Sequence, residues 1–293
     1  MEVSHPSKLY FLADGITKGE VVDYYRRIAE VASVYYHDRP LTQQRFPEGI
    51  EEEGFFQKQI PPHFPDWIDR VTLAKTDGQI TYVLANDEAV LAYLANQGCV
   101  TPHLALALAG KPNHPDRMIL DLDPSDGDFE KVRGAAEDAG SFLEELGLPC
   151  FLMTTGSRGL HIVTPLDRSA DFDRVRDFAQ SLCRLLAKRH PDRLTCEQRK
   201  DRRGHRVFLD YLRNAYGQTS VAPYALRAKP GAPVATPLRW SELGRSDLTA
   251  QRFTLKTIFR RLGAMGDPWA GIAEEARSLK PAEKKLRELT GGS

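Results

Sequence analysis

The stretch MILDLDPSDGD, residues 118–128, predicts an apolar strand that delivers two carboxylates, Asp121 and Asp123, to a turn beginning at Pro124. Residues two apart on a strand point the same way, so both carboxylates share one face. Two such charges beside an apolar strand repel each other, and a divalent metal with oxygen ligands relieves that repulsion. For this pair alone, aspartates that only cap a strand end are the ordinary alternative.

The residues that follow predict the element order β-α-β-β-α-β. Further strands are indicated at CFLMTT (150–155), LHIVTPL (160–166) and RVFLD (206–210). Apolar residues in steps of three and four predict two helices, one over 129–146 and one over 172–185. This order is typical of a ferredoxin-like or RRM-like antiparallel sheet with strand order 4-1-3-2. We therefore predict an α+β fold whose helix-free face carries Asp121 and Asp123 on a central strand, between the strands of Asp210 and His161.

Composition is that of a globular protein, with 293 residues, 41% hydrophobic and 27% charged. No apolar run approaches the roughly 20 residues that cross a bilayer, and the first 20 residues lack a secretory pattern, so we expect a cytoplasmic protein without membrane contact. Four scattered cysteines indicate neither disulfides nor a zinc site.

Net charge is zero, but residues 184–206 carry nine Lys or Arg against three Asp or Glu. That segment is either a solvated face or a surface for a polyanion.

Domain organisation is predicted as three consecutive parts: an N-terminal α/β lobe at 1–115, a catalytic lobe at 116–236 and C-terminal helices at 237–293. In the N-terminal lobe, Thr17 and Glu20 fit a capping box before a helix. Asp77 and Gly78 predict a hairpin turn. In the C-terminal part, helices are expected at 239–262 and 268–289.

The stretch TTGSRGLH, residues 154–161, has the composition of a phosphate cradle. Gly156 and Gly159 permit a sharp turn with exposed N–H groups, and the remaining polar residues offer hydroxyls, a cation and an imidazole; they are Thr155, Ser157, Arg158 and His161. A glycine-rich hairpin without a ligand is the alternative for this loop in isolation. With Asp210 as a third carboxylate, the predicted sheet could hold two metal ions facing a triphosphate.

Some N-terminal features indicate nucleic acid. Lys18 falls in the first helical turn, where a cation is favoured only if an anion is also bound, and Lys8 could join it around a phosphate. On an extended chain, Phe55 and Phe56 face opposite ways, so one is expected in the core and the other exposed as a platform for a base. Arg45 is a further cation nearby.

These motifs together resemble the archaeo-eukaryotic primase superfamily, and within it the end-joining polymerase module of bacterial DNA ligase D. The likeness rests on LDLDP, on TTGSRGLH and on VFLDYLRN, and it extends through RPLTQQRFPEG, EGFFQKQ, TPH and SVAPYALR. Two positions depart from the family pattern: Thr155 replaces a serine, which affects ribose selection, and Arg158 replaces the commoner lysine.

The resemblance implies a primase-polymerase fold and a template-directed nucleotidyltransferase that extends 3′ ends and fills gaps at double-strand breaks, with a preference for ribonucleotides. It assigns two ions, Mn²⁺ or Mg²⁺, to the three aspartates, the downstream 5′-phosphate to Lys8 and Lys18, and template stacking to Phe55 or Phe56. It assigns the nucleoside triphosphate to the 154–161 loop, aided by His103, Arg203 and Arg227. Implied partners are broken or gapped DNA, Ku and an ATP-dependent ligase, or a ligase domain of the same chain, at the nucleoid.

Three alternatives remain at this point. A primase that makes primers de novo belongs to the same superfamily. An aspartate-nucleophile phosphatase also has an Asp-x-Asp pair, but Pro124-Ser125 and the β-α-β-β-α-β order fit it poorly. A non-catalytic nucleic-acid module would place three carboxylates against phosphates.

Overall fold

The computed structural model of the protein describes residues 2–291. The strands are β1 (Leu9–Phe11), β2 (Ile16–Thr17), β3 (Pro40–Arg45), β4 (Phe55–Gln57), β5 (Arg70–Lys75), β6 (Gly78–Leu84), β7 (Cys99–Ala105), β8 (Arg117–Pro124), β9 (Phe151–Thr154), β10 (Leu160–Pro165), β11 (Leu194–Thr195), β12 (Val207–Asp210), β13 (Thr219–Val221) and β14 (Pro237–Leu238). The α-helices are α1 (Lys18–Tyr36), α2 (Glu88–Asn96), α3 (Phe129–Glu145), α4 (Phe172–Arg189), α5 (Ile258–Met265) and α6 (Leu279–Thr290).

The chain forms two compact units. The first contains the residues up to Pro112 together with Thr219–Thr236 and Gln251–Asp267, and the second contains Asn113–Gln218, Pro237–Ala250 and the residues from Pro268 onward. This grouping cuts across the three consecutive parts predicted from the sequence, because 219–236 and 251–267 pack with the N-terminal residues. The functional subdivision of the chain stays a prediction.

The second unit contains the predicted ferredoxin-like core. Its sheet has the order β11-β12-β8-β10-β9-β14, so the four strands of the β-α-β-β-α-β unit lie in the order 4-1-3-2 and each pairs antiparallel with its neighbour. Met118, Leu120 and Leu122 of β8 are fully buried, and helices α3 and α4 pack against this strand. The alternate residues of β8, including Asp121 and Asp123, therefore face the other side.

The first unit is built on a sheet of order β13-β7-β3-β6-β5, with β4 added beside β3. The predicted capping box of α1 is confirmed, since the Glu20 N–H donates to Thr17 Oγ1 at 3.2 Å and the Thr17 N–H donates to Glu20 Oε2 at 2.8 Å. The predicted hairpin is also confirmed: β5 and β6 pair from Lys75 and Gly78 outward, and Gly78 has a φ of 119° that favours glycine.

The expected C-terminal helices are shorter than predicted. Much of 239–262 is not helical, because the Val234 N–H donates to Phe253 O at 2.8 Å and the Leu255 N–H donates to Ala232 O at 2.9 Å, which draws 253–255 into extended pairing. The second helix begins at Leu279 instead of 268, so Pro281 lies in its first turn, where a missing N–H costs no helical hydrogen bond. Within residues 2–291 no helix is long and apolar enough to span a bilayer.

Candidate active site

Three carboxylates lie on two neighbouring strands of the second unit. Asp210 of β12 is paired in register with Asp121 of β8, and His161 of β10 is paired with Asp121 from the other side. Asp123 lies two residues further along β8, opposite Phe208. The predicted arrangement, with Asp121 between Asp210 and His161, is confirmed at the level of strand register.

The environment of these aspartates opposes their ionisation. Burial, and then repulsion from Asp121, raise the pKa of Asp123 above its usual value. Burial also raises the pKa of Asp210, against a hydrogen bond from the Leu212 N–H to Asp210 Oδ1 of 2.8 Å, and the charge of Asp121 adds to the rise. Such a cluster is most stable with positive charge nearby.

Three side chains that carry or can carry a positive charge lie near the aspartates, at distances longer than a usual hydrogen bond. Arg213 Nε is 3.8 Å from Asp121 Oδ2, His161 Nε2 is 3.4 Å from Asp121 Oδ1, and an Arg158 guanidinium nitrogen is 3.5 Å from Asp123 Oδ2. In the present side-chain positions, no group of three His, Cys, Asp or Glu residues within 2–291 is arranged to coordinate a metal ion. The donor chemistry nevertheless fits a hard divalent ion, because the site offers carboxylate oxygens whose mutual repulsion a cation would relieve.

The glycine loop between β9 and β10 lies directly against β8. A Cβ built on Gly159 would be 1.9 Å from the Leu122 carbonyl oxygen, so only glycine fits this approach without movement. Gly156 has a φ of 63°, in the left-handed region. The hydroxyl of Thr155 accepts hydrogen bonds from the Ser157 and Gly159 N–H groups, both at 3.2 Å. Thr155 thus holds the loop closed, and its contact with a nucleotide stays a prediction.

Arg203 lies close to the carboxylates but is engaged with its own loop. Its guanidinium donates to the carbonyls of Glu197 at 2.8 Å and Gln198 at 2.7 Å, and it stacks over the Phe208 ring at 3.7 Å. Its charge lowers the pKa of Asp123, against the larger raising effects. Arg203 therefore shapes the loop before β12 in this structure, and its contact with a nucleotide stays a prediction.

Much of the basic segment predicted as a polyanion surface is engaged within the second unit. Arg189 and Arg193 of this segment pair with Glu145 and Asp138 at 2.9 Å each. These contacts favour the solvated-face alternative for the α4 end of the segment.

His103 and Arg227, predicted nucleotide ligands, lie in the first unit. His103 is on β7, in register with Thr42 of β3 and Val221 of β13. The Leu226 carbonyl, one residue before Arg227, accepts from the Thr101 hydroxyl at 2.7 Å. His103 thus lies on β7, and the backbone next to Arg227 is hydrogen-bonded to β7.

The predicted aromatic platform differs from expectation in one respect. Phe55 and Phe56 face opposite ways, as predicted, but both are exposed, at 47% and 60%, so the expectation that one fills the core is wrong. The reason is that β4 is a three-residue strand added beside β3 alone. Phe56 contacts the His103 ring edge-on at 5.3 Å, whereas Phe55 lies 5.5 Å from the Arg45 guanidinium.

Lys8 and Lys18 lie next to each other, as predicted, since the Lys18 N–H donates to Lys8 O at 2.8 Å. Lys18 is a buried residue and its Nζ donates to Ser4 Oγ at 2.7 Å, while Lys8 Nζ pairs with Glu48 at 2.5 Å. Burial, and then the charge of Lys8, lower the pKa of Lys18. An anion bound beside Lys18 would favour its charged form and so oppose the effects of burial and of the Lys8 charge on its pKa.

Comparison with known proteins decides the identity of the chain. The family model described as LigD, primase-polymerase domain, matches residues 17–269. The chain belongs to the LigD primase-polymerase domain family. It is therefore a nucleotidyltransferase domain, and the predicted resemblance and fold class are confirmed.

Individual LigD relatives agree with this assignment. The chain is 31% identical over 296 residues to the multifunctional non-homologous end joining protein LigD of Mycolicibacterium smegmatis, a match that covers 97% of this chain and 39% of that protein. The chain is also 31% identical over 288 residues to the LigD protein of Pseudomonas aeruginosa, and this match covers 97% of this chain and 34% of that protein. The chain thus spans well under half the length of these relatives.

A solved structure shows the same fold. The polymerase domain of Mycobacterium tuberculosis ligase D, determined in complex with DNA, superimposes with a TM-score of 0.88 at 30% identity, covering 94% of this chain and 99% of that one.

Two residues of the LigD motif VFLDYLRN were missed by the sequence reasoning. Asn214 is fully buried, and its side chain accepts from the Ile119 N–H at 2.8 Å and donates to Ile119 O at 2.7 Å, so it continues the pairing of β8 beyond β12. Arg213 supplies the charge beside Asp121. A polar Arg-Asn pair that begins three residues after the end of β12 was the available signal.

Proposed function

We propose that this domain is a template-directed polymerase of DNA end joining, which fills gaps and extends 3′ ends at double-strand breaks. The observation that carries the proposal is the row Asp210, Asp121 and His161 across three paired strands, with Asp123 two residues further on. This row lies beside a glycine loop held against β8. Carboxylates next to a phosphate-binding loop are the elements that nucleotidyl transfer requires.

In this proposal Asp121, Asp123 and Asp210 hold two divalent ions, Mn²⁺ or Mg²⁺. When bound, such ions activate the primer 3′-hydroxyl and neutralise charge on the triphosphate. The chain's own residues position the reactants: the Arg158 guanidinium and the N–H groups of Gly156 and Arg158 bind the triphosphate. His161 contacts Asp121 Oδ1 at 3.4 Å and fixes its orientation. No protein base is needed for this scheme.

The remaining parts of the proposal rest on the family resemblance. His103, Arg203 and Arg227 contribute to nucleotide binding, and ribonucleotides are preferred. Lys8 and Lys18 bind the downstream 5′-phosphate, with support from their adjacency and the burial of Lys18. Phe55 or Phe56 stacks on the template, and Arg45 supports the β4 platform. Ku and an ATP-dependent ligase activity are the proposed partners in the cytoplasm, at the nucleoid.

The decisive experiment is extension of a primer on a gapped, 5′-phosphorylated duplex with Mn²⁺ or Mg²⁺, comparing ribo- with deoxynucleotides. We expect metal-dependent extension by the wild type and none by the Asp121→Asn, Asp123→Asn double variant. The matched control is Asp126→Asn, since Asp126 is a nearby carboxylate that pairs with Lys131 instead. Undiminished extension by the double variant would falsify the proposal. An unprimed single strand, run in parallel, separates extension from de novo priming.

A further inference from the structure

The loop between β4 and β5 presents a large aromatic side chain to solvent. Trp67 is 53% exposed, and its ring meets Tyr93 of α2 edge-on at 5.7 Å and an angle of 81°. Tyr93 in turn contacts the buried ring of Phe64 at 5.0 Å. Trp67 is therefore supported from the protein side by a packed aromatic pair while half of its surface remains open.

The backbone under Trp67 is fixed by local hydrogen bonds. The Arg70 guanidinium donates to Pro65 O at 2.8 Å and to Ile68 O at 3.3 Å, and the Ile68 N–H donates to Pro65 O at 3.2 Å. Ile68 itself is buried. Because the loop is already ordered, a ligand that stacks on Trp67 pays little conformational entropy.

Arg45 connects the strand that carries Phe55 with the end of the helix that carries Tyr93. The Arg45 guanidinium lies 5.5 Å from the Phe55 ring and donates to Gln97 O at 2.9 Å, at the end of the helix that carries Tyr93. The charge of Arg45 also acts on Tyr93, where it lowers the pKa against a larger rise from burial. Arg45 thus joins Phe55 to the end of α2, the helix whose Tyr93 supports Trp67.

Phe55 and Phe56, neighbours on β4, contact different side chains. Phe56 contacts His103, whereas Phe55, its neighbour on the strand, faces Arg45. The two faces of β4 therefore lead to different surroundings within the first unit. Phe56 lies beside a predicted nucleotide ligand, whereas Phe55 lies beside Arg45, which donates to the end of the helix that carries Tyr93.

We propose that Trp67 is a second stacking platform for single-stranded nucleic acid, which binds unpaired template bases beyond those at Phe55. Base stacking on aromatic side chains tolerates any sequence, as a template site must, and a guanidinium beside a ring, as at Arg45 and Phe55, takes part in the same way. The exposed cations Lys58 and Arg70 flank the loop, and Arg70 lies 3.8 Å from Asp66, so that this acidic side chain is offset. The inference rests on the proposed function for the identity of the strand as a template.

The test uses DNA binding without divalent metal, so that it does not depend on catalysis. Gapped duplexes with one unpaired template nucleotide and with a long unpaired template are titrated against wild type, Trp67→Ala and Trp67→Phe. Val34→Ala serves as the control, since Val34 is an exposed apolar side chain on α1. Loss of one stacked base predicts that Trp67→Ala binds the long template at least about fivefold more weakly, with the one-nucleotide gap unaffected.

Tryptophan fluorescence supplies a second readout. Of the three tryptophans, Trp269 is buried and Trp240 is half-buried with its indole N–H donating to Cys150 O, so Trp67 is the exposed one. Stacking should quench wild-type emission on the long template. Trp67→Phe should lose that quenching while keeping most of the affinity, which a purely structural role for Trp67 would not produce.

The experiments distinguish failure of the Trp67 stacking proposal from failure of the polymerase proposal. If the wild type extends primers but Trp67→Ala binds the long template as tightly as wild type, the stacking inference fails alone. If the wild type fails to extend primers yet shows the Trp67-dependent preference for long single strands, the polymerase proposal fails and this surface stands.

Discussion

The substitution Gly159→Ala tests whether the glycine loop is held against β8. The added Cβ would lie 1.9 Å from the Leu122 carbonyl oxygen, whereas ordinary van der Waals contact begins at 3.4 Å. The loop and β8 must therefore separate by about 1.5 Å, the difference between these two distances. That displacement would disturb the 3.2 Å hydrogen bond from the Gly159 N–H to Thr155 Oγ1 and the 3.5 Å contact of Arg158 with Asp123.

Two magnitudes follow from this displacement. Overpacking of this kind lowers the free energy of unfolding by about 2 kcal/mol. A misplacement of about 1 Å in a reactive constellation can reduce the rate by about 100-fold, so nucleotide transfer should fall by at least that factor. The matched control is Gly134→Ala on α3, where the nearest atom to an added Cβ is an Arg193 nitrogen at 3.7 Å. That control should raise stability by up to about 1 kcal/mol and leave transfer unchanged.

The assays are chemical denaturation and single-nucleotide gap filling, measured on the same preparations. Gly159→Ala with wild-type stability and wild-type rate would refute the close approach of the loop to β8. Reduced stability with an unchanged rate would instead refute the assignment of this loop to the triphosphate.

Two further predictions concern charge. Removal of the 5′-phosphate from a gapped duplex should weaken binding by the wild type but scarcely by a Lys8→Ala, Lys18→Ala variant, measured by fluorescence anisotropy; equal weakening in both proteins would rule out this phosphate site. Burial and the charge of Asp121 raise the pKa of Asp123 in the folded protein, so its contribution to stability is present below the ordinary aspartate pKa and is lost as pH rises through the raised value. Metal-free Asp123→Asn should therefore be more stable than wild type to denaturant at neutral pH, with the difference disappearing in acid, and a difference independent of pH would contradict the assigned cause.

Local patterns in the sequence determined the central strands of the sheet in the second unit. The alternation of β8 and the periods of three and four in α3 and α4 depend only on which side chains must leave water, so the strand order and the shared face of Asp121 and Asp123 were predictable. Gly159 was predictable as a turn residue but not as the point of closest approach to β8, because that distance depends on the neighbouring strand.

The tertiary structure decided the features that depend on distant partners. Asn214 lies 95 residues from Ile119, and pairing with 232–234 replaces the helix expected around 253–255. The exposure of both Phe55 and Phe56 follows from the peripheral place of β4, and the support of Trp67 by Tyr93 joins a loop to a separate helix. The sequence by itself thus determined which residues could carry the chemistry, since periodicity and side-chain type are local. Only packing decided which polar groups are already engaged and which aromatic faces stay open, since both depend on contacts between segments far apart in the chain.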